Sequence, residues 1–201
     1  MHSSLSDQFS LLLNINLPKT DGIVFDAVNA RKLCDRIDGI RLHAHTYSFI
    51  HNLTHGSFKP ADALEFAYQH ELHGLNIHVD DGGEHSLANK TPKELTQFKS
   101  YAQELKVAVH LETSSTQKRE IDKVIHIARA LEVKNIRVYS RYEGTLVSVM
   151  AQTVADLVYM AEQADMYDLF FDFEQHEEFK SIEIVEMLKE VNHLRINAFF
   201  D

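Results

Sequence analysis

The sequence has only one cysteine, Cys34, among its 201 residues, so a disulfide framework within the chain is excluded. Because there is no second cysteine, we also expect no redox or catalytic role for Cys34. The sequence contains no run of roughly eighteen apolar residues, which a membrane-spanning helix would need, and no basic-then-apolar leader of a secretory signal. We therefore expect a cytoplasmic protein with no membrane partner.

Basic residues are also scarce, because 20 Lys and Arg stand against 30 Asp and Glu and the formal net charge is -10. A nucleic-acid-binding protein normally presents a face rich in Lys and Arg, so this balance makes nucleic acid an unfavoured partner. Histidine, in contrast, is abundant, with 13 residues. Many of these histidines fall on or just after predicted strands, and this clustering predicts a functional site.

No linker or low-complexity segment interrupts the sequence, so we expect a single globular domain. Six segments alternate apolar and polar residues with the period of a β-strand, and each follows a segment of helical period. In the fifth strand, Asp172 and Glu174 share one face, while Phe171 and Phe173 share the other. The strands are predicted at 39–45, 75–80, 107–112, 135–140, 168–174 and 195–201. The helices between them are predicted near 60–73, 92–105, 117–132, 147–165 and 180–192.

All six strands have a polar face, although parallel strands covered by helices normally read as near-continuous apolar runs. Polar groups that are buried on one side must be paired or must line something wet. A closed barrel with a polar pocket inside and helices on its apolar outer faces accounts for all six strands. An antiparallel sheet with one solvated face is disfavoured, because its hairpins would need only short turns. An open, doubly wound sheet of six strands remains the alternative.

Two helix boundaries carry local signals. Thr91 followed by Pro92, with Glu94 in the first turn, predicts the start of the helix near 92–105. Gly74 is expected to close the helix that precedes the second strand, because glycine is common just after the last helical turn.

Ionisable residues collect where the predicted strands end. Glu174 and Asp201 end the fifth and sixth strands, which as neighbours would lie about 4.8 Å apart. Carboxylates this close suit a divalent cation, since without one they would repel each other. The competing interpretation is a buried ion pair between Glu174 and Arg137 or Arg141. Further ionisable residues at the same level are His78, Asp80, Glu112 and His176.

Six strand-end segments occur in a recognisable order: HTYSF (45–49), GLNIHVDDGG (74–83), HLETS (110–114), NIRVYS (135–140), LFFDFEQHE (169–177) and INAFFD (196–201). Over about residues 36–201 this order resembles the xylose isomerase-like TIM-barrel superfamily of sugar and sugar phosphate isomerases and epimerases. That group also includes inosose dehydratase, dehydroshikimate dehydratase and endonuclease-IV-type AP endonucleases. The resemblance implies a (β/α)8 barrel, an α/β fold.

This chain would supply about six of the eight βα units of such a barrel, and an eight-stranded barrel would need roughly 60 further residues. We therefore expect a barrel that is truncated after strand six. Residues 1–35 would form a helical lead-in, and residues 36–201 would carry the six strands.

The resemblance also implies a metal site. In that family the metal is held by a Glu ending strand five, an Asp ending strand six, a His ending strand seven and a Glu ending strand eight. Glu174 matches the first ligand and Asp201 the second, whereas the other two have no counterpart in this chain. The expected cofactor is a divalent ion, namely Mn, Mg, Zn or Co. Where relatives often read Glu-Asn-His, this chain has Glu174, Gln175 and His176.

The implied activity is isomerisation or epimerisation of a sugar, sugar phosphate or sugar acid by proton transfer next to a carbonyl, through an enediolate. Glu174 would be both a metal ligand and a catalytic acid or base. Arg137 or Arg141 would hold a phosphate or carboxylate of the substrate. The residues expected to orient substrate hydroxyls are His78, Glu112 and His176.

Other functional classes stay open at this point. The same metal site would support a lyase that dehydrates or decarboxylates a sugar acid. An AP endonuclease would need three metals and a basic rim, which the acidic balance disfavours, and a non-catalytic binding protein is the third alternative. For His43 and His110 we expect a satisfied polar role in the core rather than metal ligation. A homo-oligomer is compatible with the sequence.

Overall fold

The computed structural model describes residues 40–200. Cys34, the lead-in expected at 1–35 and Asp201 lie outside the described residues, so the predictions on them stay predictions. From His43 onward the chain belongs to one compact unit. Within residues 40–200, none of the helices has the length and apolar character needed to cross a membrane.

The described part of the chain alternates strands and helices. The strands are β1 (His43–His45), β2 (Gly74–His78), β3 (Ala108–Thr113), β4 (Asn135–Val138), β5 (Phe170–Gln175) and β6 (Ile196–Phe200). The α-helices are α1 (Ile50–His55), α2 (Pro60–Gln69), α3 (Pro92–Leu105), α4 (Lys118–Leu131), α5 (Leu146–Tyr167) and α6 (Ser181–Val191). Short 3-10 helices lie at Thr46–Phe49, Gly83–His85 and Leu87–Asn89.

The six described strands form one sheet in the order β1-β2-β3-β4-β5-β6, and every neighbouring pair is parallel. At least one α-helix connects each strand to the next. This confirms the predicted strand-helix alternation and rules out the antiparallel alternative. The short helix α1 was not predicted, because six residues are too few to show a helical period.

The apolar face of the sheet forms the core together with the helices. Its residues at alternate positions of β2 to β5 are fully buried, as the strand period requires. They are Leu75, Ile77, Leu111, Ile136, Val138, Phe171 and Phe173. The predicted separation of an apolar outer face from a polar inner face is therefore confirmed for these strands.

The polar inner face, which carries His45, His78, Glu112, Arg137 and Glu174, is concave. His45 lies on β1 and Arg137 lies on β4, and three strand spacings in a flat sheet would separate them by about 14 Å. Nevertheless, His45 Nε2 lies 3.2 Å from Arg137 Nη1. Contact across three strand spacings requires a sheet that curls toward this face, as barrel sheets do.

The start of α3 is capped as predicted. The hydroxyl of Thr91 accepts a hydrogen bond from the backbone N–H of Glu94, and the Glu94 carboxylate accepts one from the N–H of Thr91 at 2.8 Å. Pro92 occupies the first helical position, where no N–H is needed. Two of the donors that a helix start leaves free are thereby satisfied.

The prediction for Gly74 is wrong. The preceding helix, α2, ends at Gln69 with His70 as its C-cap, and Gly74 is instead the first residue of β2. A Cβ atom at Gly74 would lie 2.6 Å from a ring carbon of His43 and 2.7 Å from the carbonyl oxygen of Ala108. Glycine is required here by the close approach of β1 and β3 and not by a helix end.

We predict that Gly74→Ala destabilises the folded protein by about 1–3 kcal/mol, because the added methyl group must displace both a ring and a backbone oxygen. Urea unfolding followed by circular dichroism measures this change. Combining it with His43→Ala should relieve the ring contact and recover part of the loss. An unchanged midpoint for Gly74→Ala would contradict the close approach.

Candidate functional site

The centre of the inner face is a carboxylate–guanidinium cluster formed by Glu112, Arg137 and Glu174. Glu112 stands directly opposite Arg137 in the β3–β4 register, and Glu174 lies two residues beyond the partner of Arg137 on β5. Strand alternation sends all three side chains to the same face. They lie toward the carboxyl ends of parallel strands, where sites form in barrels of this class.

Arg137 joins the two carboxylates. Its Nη1 donates a hydrogen bond of 3.0 Å to Oε2 of Glu112, and its Nη2 donates a close hydrogen bond to Oε1 of Glu174. Glu112 is 3% exposed and Glu174 is 1% exposed, so both charges are removed from water. Buried charges of this kind persist only when they are paired and hydrogen-bonded.

His45 adds a donor to the same cluster. The backbone N–H of Tyr47 donates to Nδ1 of His45 at 3.0 Å, which places the ring proton on Nε2. Nε2 then donates to Oε2 of Glu112 at 2.6 Å. Glu112 thus receives both a histidine and an arginine donor on one oxygen.

The electrostatic balance keeps the cluster charged. Burial by itself would raise the pKa of Glu112, but the hydrogen bond from His45 and the charge of Arg137 outweigh burial, so the pKa is lowered. Burial would likewise lower the pKa of Arg137, but its bonds to Glu174 and Glu112 raise it.

Three buried polar atoms of the cluster have no hydrogen-bond partner in the described structure. They are Oε1 of Glu112, Nε of Arg137 and Oε2 of Glu174. A buried acceptor without a partner is costly, so such atoms indicate a bound ion, water or ligand. Each of the two carboxylates therefore has one oxygen available to an ion, a water molecule or a ligand.

A chain of hydroxyl and imidazole groups runs beside the cluster. Nε2 of His78 lies 2.7 Å from Oγ of Ser114, which in turn lies 2.6 Å from the hydroxyl of Tyr139. The backbone N–H of Ser114 approaches Nε2 of His78 at 3.0 Å, and the N–H of Asp80 approaches Nδ1 at 3.3 Å. Each ring nitrogen of His78 therefore faces a backbone donor, and Nε2 also lies within hydrogen-bond distance of the Ser114 hydroxyl.

Tyr139 connects this chain to His176. The two rings stack with centroids 4.3 Å apart and an angle of 15° between their planes. Nδ1 of His176 lies 3.2 Å from a carboxylate oxygen of Glu178. Arg141 donates to the Tyr139 hydroxyl at 3.1 Å and covers the Tyr139 ring.

The structure thus brings together most of the residues predicted from the sequence. Glu112, Arg137 and Glu174 are in direct contact. His78 is linked to Tyr139 through Ser114, and His176 stacks on the Tyr139 ring. The predicted ion pair of Glu174 is formed with Arg137. Asp201 lies outside the described residues, so the expected pairing of Glu174 with Asp201 stays a prediction.

Other predicted residues lie apart from the cluster. Asp80 forms an ion pair with Lys123 at 2.8 Å. Nδ1 of His43 lies 3.0 Å from Oδ1 of Asn76, and the His43 ring packs edge-on against His110. His43 is half-buried and has the satisfied polar role that was expected, whereas His110 is exposed, so the core role expected for His110 is wrong.

Sequence reasoning assigned no role to His45, Ser114 or Tyr139. A signal for two of them was present, because the strand alternation places His45 with His43 and Tyr139 with Arg137 on the inner face. Ser114 follows β3 in the loop, where alternation no longer predicts direction.

Within residues 40–200 no group of three or more His, Cys, Asp or Glu side chains is arranged to hold a metal ion. The described residues offer two free carboxylate oxygens, from Glu112 and Glu174, and oxygen is the ligand that hard divalent ions prefer. The donor chemistry of Glu174 fits one ligand of such an ion, and the remaining ligands would have to come from outside the described residues.

The chain is similar to known proteins in sequence and in fold. No family model matches it. The chain is 38% identical over 173 residues to the uncharacterized protein YihM of Escherichia coli (strain K12), covering 86% of this chain and 53% of that protein. The chain thus spans about half the length of the curated relative that it matches.

Solved structures share the arrangement of strands and helices. A D-psicose 3-epimerase crystallised in the presence of D-fructose superposes with a TM-score of 0.65 at 12% identity, over 81% of this chain and 63% of that one. A xylose isomerase-like TIM-barrel protein from Mycobacterium smegmatis, in complex with magnesium, gives a TM-score of 0.62 at 11% identity, over 79% and 63%. The chain therefore has the xylose isomerase-like TIM-barrel fold over its six strands.

The lowered pKa of Glu112 predicts a specific pH dependence of stability. Its pKa is lower in the folded than in the unfolded protein, so its ionisation stabilises the fold above the ordinary pKa of about 4.3. This contribution is lost as the pH falls through that value toward the folded pKa. The difference in free energy of unfolding between the unmodified chain and Glu112→Gln should therefore be constant at neutral pH and shrink as the pH falls below about 4.3 toward the folded pKa.

Urea unfolding at a series of pH values measures this difference. The control is Glu104→Gln, because Glu104 is exposed on α3. A difference for Glu112→Gln that is constant or grows as the pH falls would show that its carboxylate is not stabilised in the folded state.

Proposed function

We propose that the chain contributes to the active site of a sugar isomerase or epimerase, which moves a proton next to a carbonyl through an enediolate. The observation that supports this is the carboxylate–guanidinium cluster, in which two buried carboxylates each keep one oxygen without a partner. The imidazoles of His78 and His176 and the hydroxyl of Tyr139 lie beside them, and such groups serve as acids and bases in proton transfer. The solved structures with this fold include sugar epimerases.

In this proposal Glu174 is a catalytic residue that takes or returns the substrate proton through its free oxygen, Oε2. Oε1 stays bonded to Arg137, so the carboxylate is held in one orientation. Glu112 is also held by Arg137, through Oε2, and its free Oε1 would accept a hydrogen bond from a substrate hydroxyl. His78 and His176 orient further hydroxyls from the two sides of Tyr139.

The proposed cofactor is a divalent ion, Mn, Mg, Zn or Co, held by Glu174 and Asp201 together with ligands outside the described residues. When bound, such an ion polarises the carbonyl and hydroxyl oxygens of a substrate. The free oxygen of Glu174 is the feature of this chain that supports the proposal. The xylose isomerase-like TIM-barrel protein from Mycobacterium smegmatis, which has a similar fold, was solved in complex with magnesium.

The engaged donors of Arg137 favour a neutral sugar as the substrate. Arg137 was expected to contact a substrate phosphate or carboxylate, but both of its terminal nitrogens are bonded to carboxylates, and only Nε is left. A sugar acid, the substrate of the lyase alternative, would have to place its carboxylate at Arg141.

We expect Glu174→Gln and Asp201→Asn each to abolish Mn binding in a protein of the length of the curated relative, because each removes a carboxylate ligand. Calorimetric titration with Mn measures the affinity, and in the 201-residue chain we expect at most weak binding. Glu177→Gln is a matched control, since Glu177 is exposed just after the same strand. Unchanged affinity in both variants would leave Glu174 as an ion-pair residue and would remove the isomerase proposal.

Activity is measured by incubating the same protein with D-fructose or D-allulose in D2O and following deuterium uptake beside the carbonyl by NMR. Glu174→Gln should slow the exchange by about 10²–10⁴-fold, which is the usual contribution of a positioned acid or base. Loss of water or of carbon dioxide from a sugar acid, without epimer formation, would favour the lyase instead.

A further inference from the structure

We infer that Arg137 is the internal cation of the site, a positioning residue that holds Glu112 and Glu174 by charge and fixes which oxygen of each remains free. This role differs from binding an anionic substrate. It rests on contacts within the described chain and does not depend on the proposed function.

The first step is geometric. Arg137 stands on β4, between the strands that carry its partners, and its planar fork reaches Glu112 on β3 with Nη1 and Glu174 on β5 with Nη2. A guanidinium that recognises an anionic ligand normally offers two parallel N–H donors. Here both terminal nitrogens are already engaged by protein carboxylates, and the side chain is only 19% exposed.

The second step is electrostatic. Glu112 and Glu174 are both almost completely buried, and two desolvated carboxylates facing one centre would repel each other unless a cation lay between them. Among the described residues, Arg137 is the cationic side chain that forms an ion pair with both. Of the two carboxylates, His45 is paired with that of Glu112, and Arg141 is bonded to Tyr139.

The third step concerns how firmly Arg137 is held. Its guanidinium lies 5.1 Å from the ring centroid of Phe199 on β6, a distance at which a cation is attracted to an aromatic face. The two carboxylates and the ring leave the guanidinium little freedom to turn. Oε1 of Glu112 and Oε2 of Glu174 are therefore the free oxygens in every conformation that keeps these bonds.

The test removes the guanidinium of Arg137 by mutation and supplies free guanidinium ion from solution in its place. In Arg137→Ala, the uncompensated carboxylates should lower the melting temperature by roughly 10 °C, whereas Arg137→Lys should lose clearly less. Guanidinium at about 20 mM, far below the molar concentrations at which it denatures proteins, should raise the melting temperature of Arg137→Ala by several degrees. Urea, its neutral isostere, and sodium chloride should have no effect. All measurements are made in EDTA, without substrate.

Unmodified protein, whose site is filled by its own guanidinium, is the matched control and should not respond to added guanidinium. Equal responses of Arg137→Ala to guanidinium and urea, or no response to either, would overturn the inference, because a packing role alone does not distinguish a cation from its neutral isostere. If Arg137→Ala does not fold, the triple variant Arg137→Met, Glu112→Gln, Glu174→Gln decides. Folding of the triple variant supports a charge role, and its failure to fold overturns it.

Discussion

The interaction on which the site depends is the pairing of one guanidinium with two buried carboxylates. Removing Glu112 and Glu174 from water carries a desolvation penalty of several kcal/mol for each ion, and their hydrogen bonds and attraction to Arg137 offset it. His45 adds a further donor to Glu112. The arrangement therefore fixes the orientation of both carboxylates rather than adding net stability.

The sheet makes this pairing geometrically available. Strand alternation sends the polar side chains to one face, and the curvature of the sheet brings β1 within reach of β4. Apolar side chains such as Phe171 and Ile136 are fully buried on the opposite face, and their burial supplies the stability that a polar interior cannot. The cost of a polar inner face is thus offset by the outer core of the same strands.

The chemical character of the site follows from which atoms remain free. Two acceptor oxygens and one donor nitrogen are left in the cluster, and the hydrogen-bonded chain from His78 through Ser114 to Tyr139 lies beside it. Such a set is suited to hydroxyl groups, which donate to carboxylates and accept from N–H groups. It is poorly suited to an anion, because both terminal nitrogens of Arg137 are already bonded to carboxylates.

The sequence by itself determined the order of strands and helices and, for β2 to β5, the face on which each side chain lies, because these depend on local periodicity. It placed the start of the first strand too early, and the outer-face residues Ala198 and Phe200 of β6 are exposed. The sequence could not choose between metal ligation and an ion pair for Glu174. Arg137 and Glu174 are separated by 37 residues, and the pairing and register of β4 and β5 bring them into contact. The structure also decided the role of Gly74, because the need for glycine there comes from the close approach of His43 and Ala108 on the neighbouring strands.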